Sequence, residues 1–109
     1  MPAPYQDVSV RDYSILRTGD HAPRLIDVRE PHEYHYCHIE GAELKPLSQI
    51  KTWWRELDPA EDYVLVCHHG FRSAHACFLL AQAGFHRLNN LVGGVDAWAT
   101  DIDPTMPRY

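Results

Sequence analysis

The stretch VCHHGFRSAHACFLL, residues 66–80, sets Cys67 directly after an apolar run and a helix-like pattern a few residues later. Between them stand His68, His69, Gly70, Phe71, Arg72 and Ser73. A cysteine thiolate is a strong nucleophile. At the carboxyl end of a parallel strand, a short loop can turn its amides inward and form a concave anion site, and the following helix adds the positive end of its dipole. Both favour thiolate over thiol, and Arg72 adds a full positive charge nearby. Gly70 permits the sharp turn such a loop needs. The helix is expected to open near Ser73, which leaves a loop of about five residues. Cysteine is also among the most buried residue types, and a lone one at a strand end is usually inert packing. A glycine at +3, an arginine at +5 and a helix start at +6 together favour the nucleophile. His68 and His69 sit at the mouth of this loop, and one of them is expected to contact substrate or steady the thiolate.

The elements that must carry this loop alternate between strand and helix. Ser9 and Asp12 form a capping-box-like start, so a first helix is expected over residues 10–18, with Gly19 as its stop. RLIDV, 24–28, reads as a buried strand. REPHEY opens a short helix with Pro31 near its first position. AEL, 42–44, is a short strand. Leu47, Ile50, Trp54 and Leu57 trace one apolar helical stripe. DYVLVC, 62–67, is the central strand. Ala74, Cys77, Phe78 and Ala81 define the buried face of the next helix, which Gly84 ends. HRLNNL is a further strand, and Val95, Trp98, Ala99 and Ile102 mark the face of a last helix before Pro104. This order predicts an α/β domain with a mostly parallel five-stranded sheet and helices on both faces. Residues 103–109 read as an extension along the surface.

Asp27 and Arg29 follow a buried strand at the same end of the sheet as Cys67. A buried carboxylate–guanidinium pair that fixes the loop is the favoured reading, with Glu33 an additional partner for Arg29. Cys77 lies on an apolar helical stripe and reads as core, while Cys37 is assigned no chemistry. His32, His35 and His38 recur every third residue, but paired cysteines at short spacing are absent, so solvated histidines are favoured over a metal site. Trp53, Trp54 and Trp98 read as core or groove-edge aromatics.

With 109 residues the chain is expected to fold as one domain, its core over about 8–102. A net charge of −5 argues against nucleic acid or an anionic membrane as partner. No apolar run approaches a membrane span. MPAPYQDVSV lacks the features of a signal peptide, so a cytoplasmic location is expected. An odd count of 3 cysteines with no CxxC pair suits a reducing compartment.

CHHGFRS after DYVLV resembles the active-site loop of single-domain rhodaneses, the thiosulfate sulfurtransferases. LIDVREPHEYHYCHIEGA, 25–42, resembles the N-terminal signature of that family, and NLVGGVDAWA, 90–99, its C-terminal one. Cys37 stands where glycine is common and Glu40 where proline is common. The resemblance implies that Cys67 attacks the sulfane sulfur of thiosulfate or of a persulfide and carries it as a persulfide. Cyanide in the assay, or a thiol or protein in the cell, would then accept it. The backbone from His68 to Ser73 would bind the persulfide, and Arg72 would attract the sulfonate of the donor. No cofactor and no metal is implied. Cysteine-based phosphatases place five residues between cysteine and arginine, whereas four separate Cys67 from Arg72, which suits a smaller cradle. A non-catalytic rhodanese-like interaction module and a protein-to-protein sulfur relay are the alternatives.

Overall fold

Five strands lie side by side in the order β1-β5-β4-β2-β3, and all four pairings are parallel. The strands are β1 Gln6–Val8, β2 Arg24–Asp27, β3 Glu43–Leu44, β4 Asp62–Val66 and β5 Arg87–Leu91 in a computed structural model that describes residues 4–109. The helices are α1 Val10–Leu16, α2 Pro31–Tyr36, α3 Ile50–Trp53, α4 Phe71–Gln82 and α5 Gly94–Asp101.

The period of two along β4 builds both halves of the core. Tyr63 and Leu65, with Ile26 of β2, pack against Trp53, Leu57, Ala76, Cys77 and Leu80. Val64 and Val66, with Leu25 and Leu91, pack against Val10, Tyr13, Val95 and Trp98. Residues 63–66 are all fully buried, which is why this strand is an unbroken apolar run without polar alternation. Burying each such side chain is worth about 1.5–3 kcal/mol, so the sheet centre is the most strongly held part of the fold.

Several boundaries differ from the sequence expectation. β1 is a strand that the apolar pattern does not mark, because QDV is an edge segment whose only half-buried residue is Val8. Helix α1 keeps its cap, with Asp12 N donating to Ser9 Oγ at 3.1 Å, but ends at Leu16 instead of Thr18. The stripe Leu47–Leu57 is not one helix: 3-10 turns at Leu47–Gln49 and Trp54–Glu56 flank the four residues of α3. Trp53 Nε1 donates to Pro46 O at 2.7 Å and draws Trp53 inward, so Trp54 is left half-buried in an apolar groove with Ile50 and Leu79. In α4 the buried face is Ser73, Ala76, Cys77 and Leu80, one residue out of phase with the expected stripe, and Phe78 is 45% exposed. A count of apolar residues passes over Ser73, whose polar contacts turn that face inward. The tail after α5 runs back over the surface, held by Arg108 on Asp96 at 2.9 Å, and ends at the carboxyl side of the sheet. No helix among the described residues is long and apolar enough to cross a membrane.

Candidate active site

The chain leaves β2 through α2 towards one face and leaves β4 through α4 towards the other. The crevice between the carboxyl ends of these two adjacent strands is therefore the natural ligand position of an open parallel sheet. Cys67 follows β4 at that crevice. Gly70, at φ 108°, turns the chain, and α4 begins at Phe71, two residues earlier than the sequence suggests. The tighter loop points two amides at the sulfur: Gly70 N donates to Cys67 Sγ at 3.1 Å and Ser73 N at 3.3 Å. The carbonyls of the same loop face away, accepting from Val95 N at 2.9 Å and Asp96 N at 3.1 Å in the first turn of α5. Gly94 makes this docking possible, since a Cβ there would collide with the carbonyl oxygens of both Cys67 and His68. Two inward amides at a helix start form a nest for negative charge on sulfur. Cys67 itself is only 1% exposed.

Asn90 of β5 fixes the loop from below. Its Nδ2 donates to Gly70 O at 3.2 Å, and its Oδ1 accepts from Ser73 Oγ at 2.5 Å. Ser73 Oγ also lies 3.3 Å from Cys67 Sγ. Neither Asn90 nor its role is apparent from apolar patterning, although an asparagine inside a strand pattern, separated from Gly93-Gly94 only by Leu91 and Val92, was a readable signal.

Asp27 and Arg29 form a pair with both side chains at 0% exposure. Arg29 Nη2 donates to Asp27 Oδ2 at 2.6 Å and to Cys37 O at 2.7 Å, and its Nε donates to Asp27 Oδ1 at 2.9 Å. Burial alone would disfavour this charge, but the hydrogen bonds and charge of Asp27, together with Tyr109, outweigh it and raise the Arg29 pKa above its ordinary value. Glu33 is not the side-chain partner of Arg29: only its backbone oxygen approaches, at 3.4 Å from Nη1. The Glu33 carboxylate instead takes Arg72 in a two-pronged pair, Oε1 to Nη1 at 2.7 Å and Oε2 to Nη2 at 2.9 Å. Position three of α2 faces the loop across the crevice, whereas Arg29 is already enclosed by Asp27. The Arg72 hydrogen bonds hold the Glu33 carboxyl down at about 2, against its partial burial.

The sequence gives little notice of Tyr109. Its hydroxyl accepts from Arg29 Nη1 at 2.8 Å and donates to Glu33 Oε2 at 2.9 Å. Its ring stacks on His68 at 3.9 Å with 5° between planes, and Tyr36 meets it edge-on at 5.8 Å. Burial pushes the phenol up to about 12. His68 is thereby sandwiched between Tyr109 and His69, while His69 is exposed. Burial, then His69, lowers the His68 pKa, and His68 Nε2 is a buried nitrogen with no hydrogen-bond partner among the described residues. Phe71 is 83% exposed at the rim.

The remaining candidates lie elsewhere. Cys77 is fully buried in the core, where desolvation pushes its thiol up to about 12. Cys37 is buried under the tail, its Sγ 3.5 Å from Pro107 O. His32, His35 and His38 are exposed, and no group of metal-ligating residues gathers among the described residues.

A family model described as the rhodanese-like domain matches residues 13–101. The chain is 41% identical over 87 residues to the probable adenylyltransferase/sulfurtransferase MoeZ of Mycobacterium tuberculosis, a match covering 78% of this chain and 22% of MoeZ. This chain thus spans less than a quarter of the length of that relative. It is 38% identical over 87 residues to YqhL of Bacillus subtilis, covering 80% of this chain and 69% of YqhL. The crystal structure of a rhodanese-related protein from Thermoplasma volcanium superposes with a TM-score of 0.78 at 29% identity, over 94% of this chain and 96% of that one. Fold, loop and sequence agree, and the chain belongs to the rhodanese-like domain family.

Proposed function

We propose that this protein is a sulfurtransferase that carries a sulfane sulfur on Cys67. The reading rests on one observation above all: Cys67 Sγ receives two loop amides at the opening of α4, at the end of the central strand. Kinship with a probable sulfurtransferase supports it. In the first half-reaction the Cys67 thiolate attacks the outer sulfur of thiosulfate or of a persulfide. The donor S–S bond breaks, and sulfite or a thiolate leaves with the electron pair. In the second, cyanide or an acceptor thiolate attacks the outer sulfur of the Cys67 persulfide and restores the thiolate. Sulfur is the cargo and the cysteine its carrier.

The amides of Gly70 and Ser73 stabilise the anionic sulfur before and after loading. His68, His69 and Phe71 form the rim over which donor and acceptor approach, and Arg72 flanks the sulfur. Asp27 and Arg29 support the site from beneath, because their pair anchors the strand end beside Cys67.

Intact-protein mass spectrometry tests this directly. After incubation with thiosulfate or cysteine persulfide the wild type should gain one sulfur atom, and cyanide should remove it. Cys67→Ser should gain none while keeping its fold. A folded wild type that acquires no sulfur from either donor would sink the proposal and leave a binding module as the reading to pursue.

A further inference from the structure

We infer that Glu33 selects the sulfur donor: by occupying the Arg72 guanidinium it suits the site to a thiol-borne hydropersulfide, R–S–SH, and disfavours the thiosulfate dianion. This rests on the sulfur-carrier reading above and narrows its donor.

Arg72 is the residue a sulfonate would need, yet its charge is already matched by the Glu33 carboxylate, which takes one N–H from each of its terminal nitrogens and leaves only the outward N–H groups for a donor. The pair is not a casual surface contact. Glu33 Oε1 also accepts from Glu30 N at 3.0 Å, and Oε2 also accepts from the Tyr109 hydroxyl at 2.9 Å. Each carboxylate oxygen therefore holds two donors, and the Glu33 side chain is only 11% exposed. Four hydrogen bonds fix its position and keep it ionised at any working pH.

The other guanidinium groups around the loop offer no alternative. Arg29 is committed to Asp27 and Arg108 to Asp96. Each of these three arginines thus has its own carboxylate. A thiosulfate dianion seeking Arg72 must either displace Glu33 or sit beside it. The first strands a nearly buried carboxylate, and the second places like charges together.

A hydropersulfide makes no such demand. It brings its outer sulfur to Cys67 and needs only the two amides already aimed there. The step balances without an oxidant: Cys67–S⁻ + R–S–SH gives Cys67–S–SH + R–S⁻. The donor S–S bond breaks, a new one forms at Cys67, and the leaving thiolate takes the electron pair.

The test is the kinetics of sulfur loading from thiosulfate and from cysteine persulfide, on wild type and Glu33→Gln. Glutamine keeps an acceptor for Glu30 N and removes the charge that holds Arg72. Wild type should load more efficiently, in kcat/KM, from cysteine persulfide. In Glu33→Gln the thiosulfate-to-persulfide ratio of kcat/KM should rise by about tenfold or more, carried mainly by a lower KM for thiosulfate. Adding Arg72→Gln should abolish that rise, which a general loosening of the site would not do. Should Glu33→Gln fold poorly, Tyr109→Phe removes one of the four Glu33 contacts and should move the ratio in the same direction by a smaller factor. A wild type that prefers thiosulfate, or an unchanged or lower ratio in the folded variants, would overturn the donor selection. Absence of sulfur on Cys67 from both donors would overturn the carrier reading itself, and this inference with it.

Discussion

Ser73 Oγ stands within donor reach of two acceptors, Asn90 Oδ1 at 2.5 Å and Cys67 Sγ at 3.3 Å. The Asn90 amide is held in this orientation by its other end, which donates to Gly70 O. A serine hydroxyl has one proton, so it cannot serve Asn90 and a thiolate together. Asn90→Ala should leave Gly70 O with only Ala74 N, and Ser73 Oγ with only the sulfur, in a buried site. The expected cost is about 2 kcal/mol, read from urea unfolding, with slower sulfur loading as the Gly70 amide loses its fixed position. A variant with unchanged stability and loading would show that Asn90 does not position the loop.

Arg29→Lys keeps the charge but loses the planar fork that reaches Asp27, Cys37 O and Tyr109 at once. Removing most of these bonds from a fully buried pair should destabilise the protein by about 3 kcal/mol. Calorimetry should record a fall in Tm of more than about 10 °C for a domain of this size. A fall of only a degree or two would mean the lysine finds equivalent partners.

Gly94→Ala tests how the loop is held from above. The added methyl would meet the carbonyl oxygens of Cys67 and His68, and the residue sits at φ 61°, where side chains are disfavoured. The loop must then lift from α5 or α5 must lose its first turn. We expect a stability loss of at least about 2 kcal/mol and a loading rate reduced far beyond what the unfolded fraction explains. Near-normal loading by the folded variant would separate the nest from its contact with α5.

Acid stability should carry the signature of Glu33. The Arg72 hydrogen bonds depress its folded pKa from an ordinary 4.5 to about 2, so protonation favours the unfolded chain. Its stabilisation is complete above the ordinary carboxyl range and is lost as pH falls through about 4.5 towards about 2. In Glu33→Gln that part of the acid decline should be absent. Urea midpoints measured across this range should converge for wild type and variant at the acid end. Parallel curves would show that the Arg72 pair contributes nothing to stability.

What could be read from the chain and what could not divide by distance along it. The loop 67–73 and the pair Asp27–Arg29 are local: turn glycine, helix start and strand end fall within a few residues, so spacing alone implies their arrangement. Arg72 and Glu33 are 39 residues apart, and Arg29 and Tyr109 are 80 apart. Nothing in local pattern decides whether Glu33 faces Arg29 or Arg72, since that depends on how α2 lies across the crevice. The same limit explains β1, which becomes a strand only because β5 offers it an edge, and α4, whose phase is set by Ser73 meeting Asn90.

The docking of the Cys67 and His68 carbonyls onto α5 has a consequence for how the protein is made. Strand β4 can pair with β2 early, but β5, α5 and the edge strand β1 join only after the last third of the chain is present, and every pairing is non-local and so slow to form. Until then the loop lacks the α5 amides that hold its carbonyls. A partly folded or nascent chain therefore leaves the Cys67 thiol exposed, open to oxidation or mispairing with Cys37 and Cys77. The yield of competent protein should depend on the redox conditions during folding far more than it does once α5 has closed over the loop.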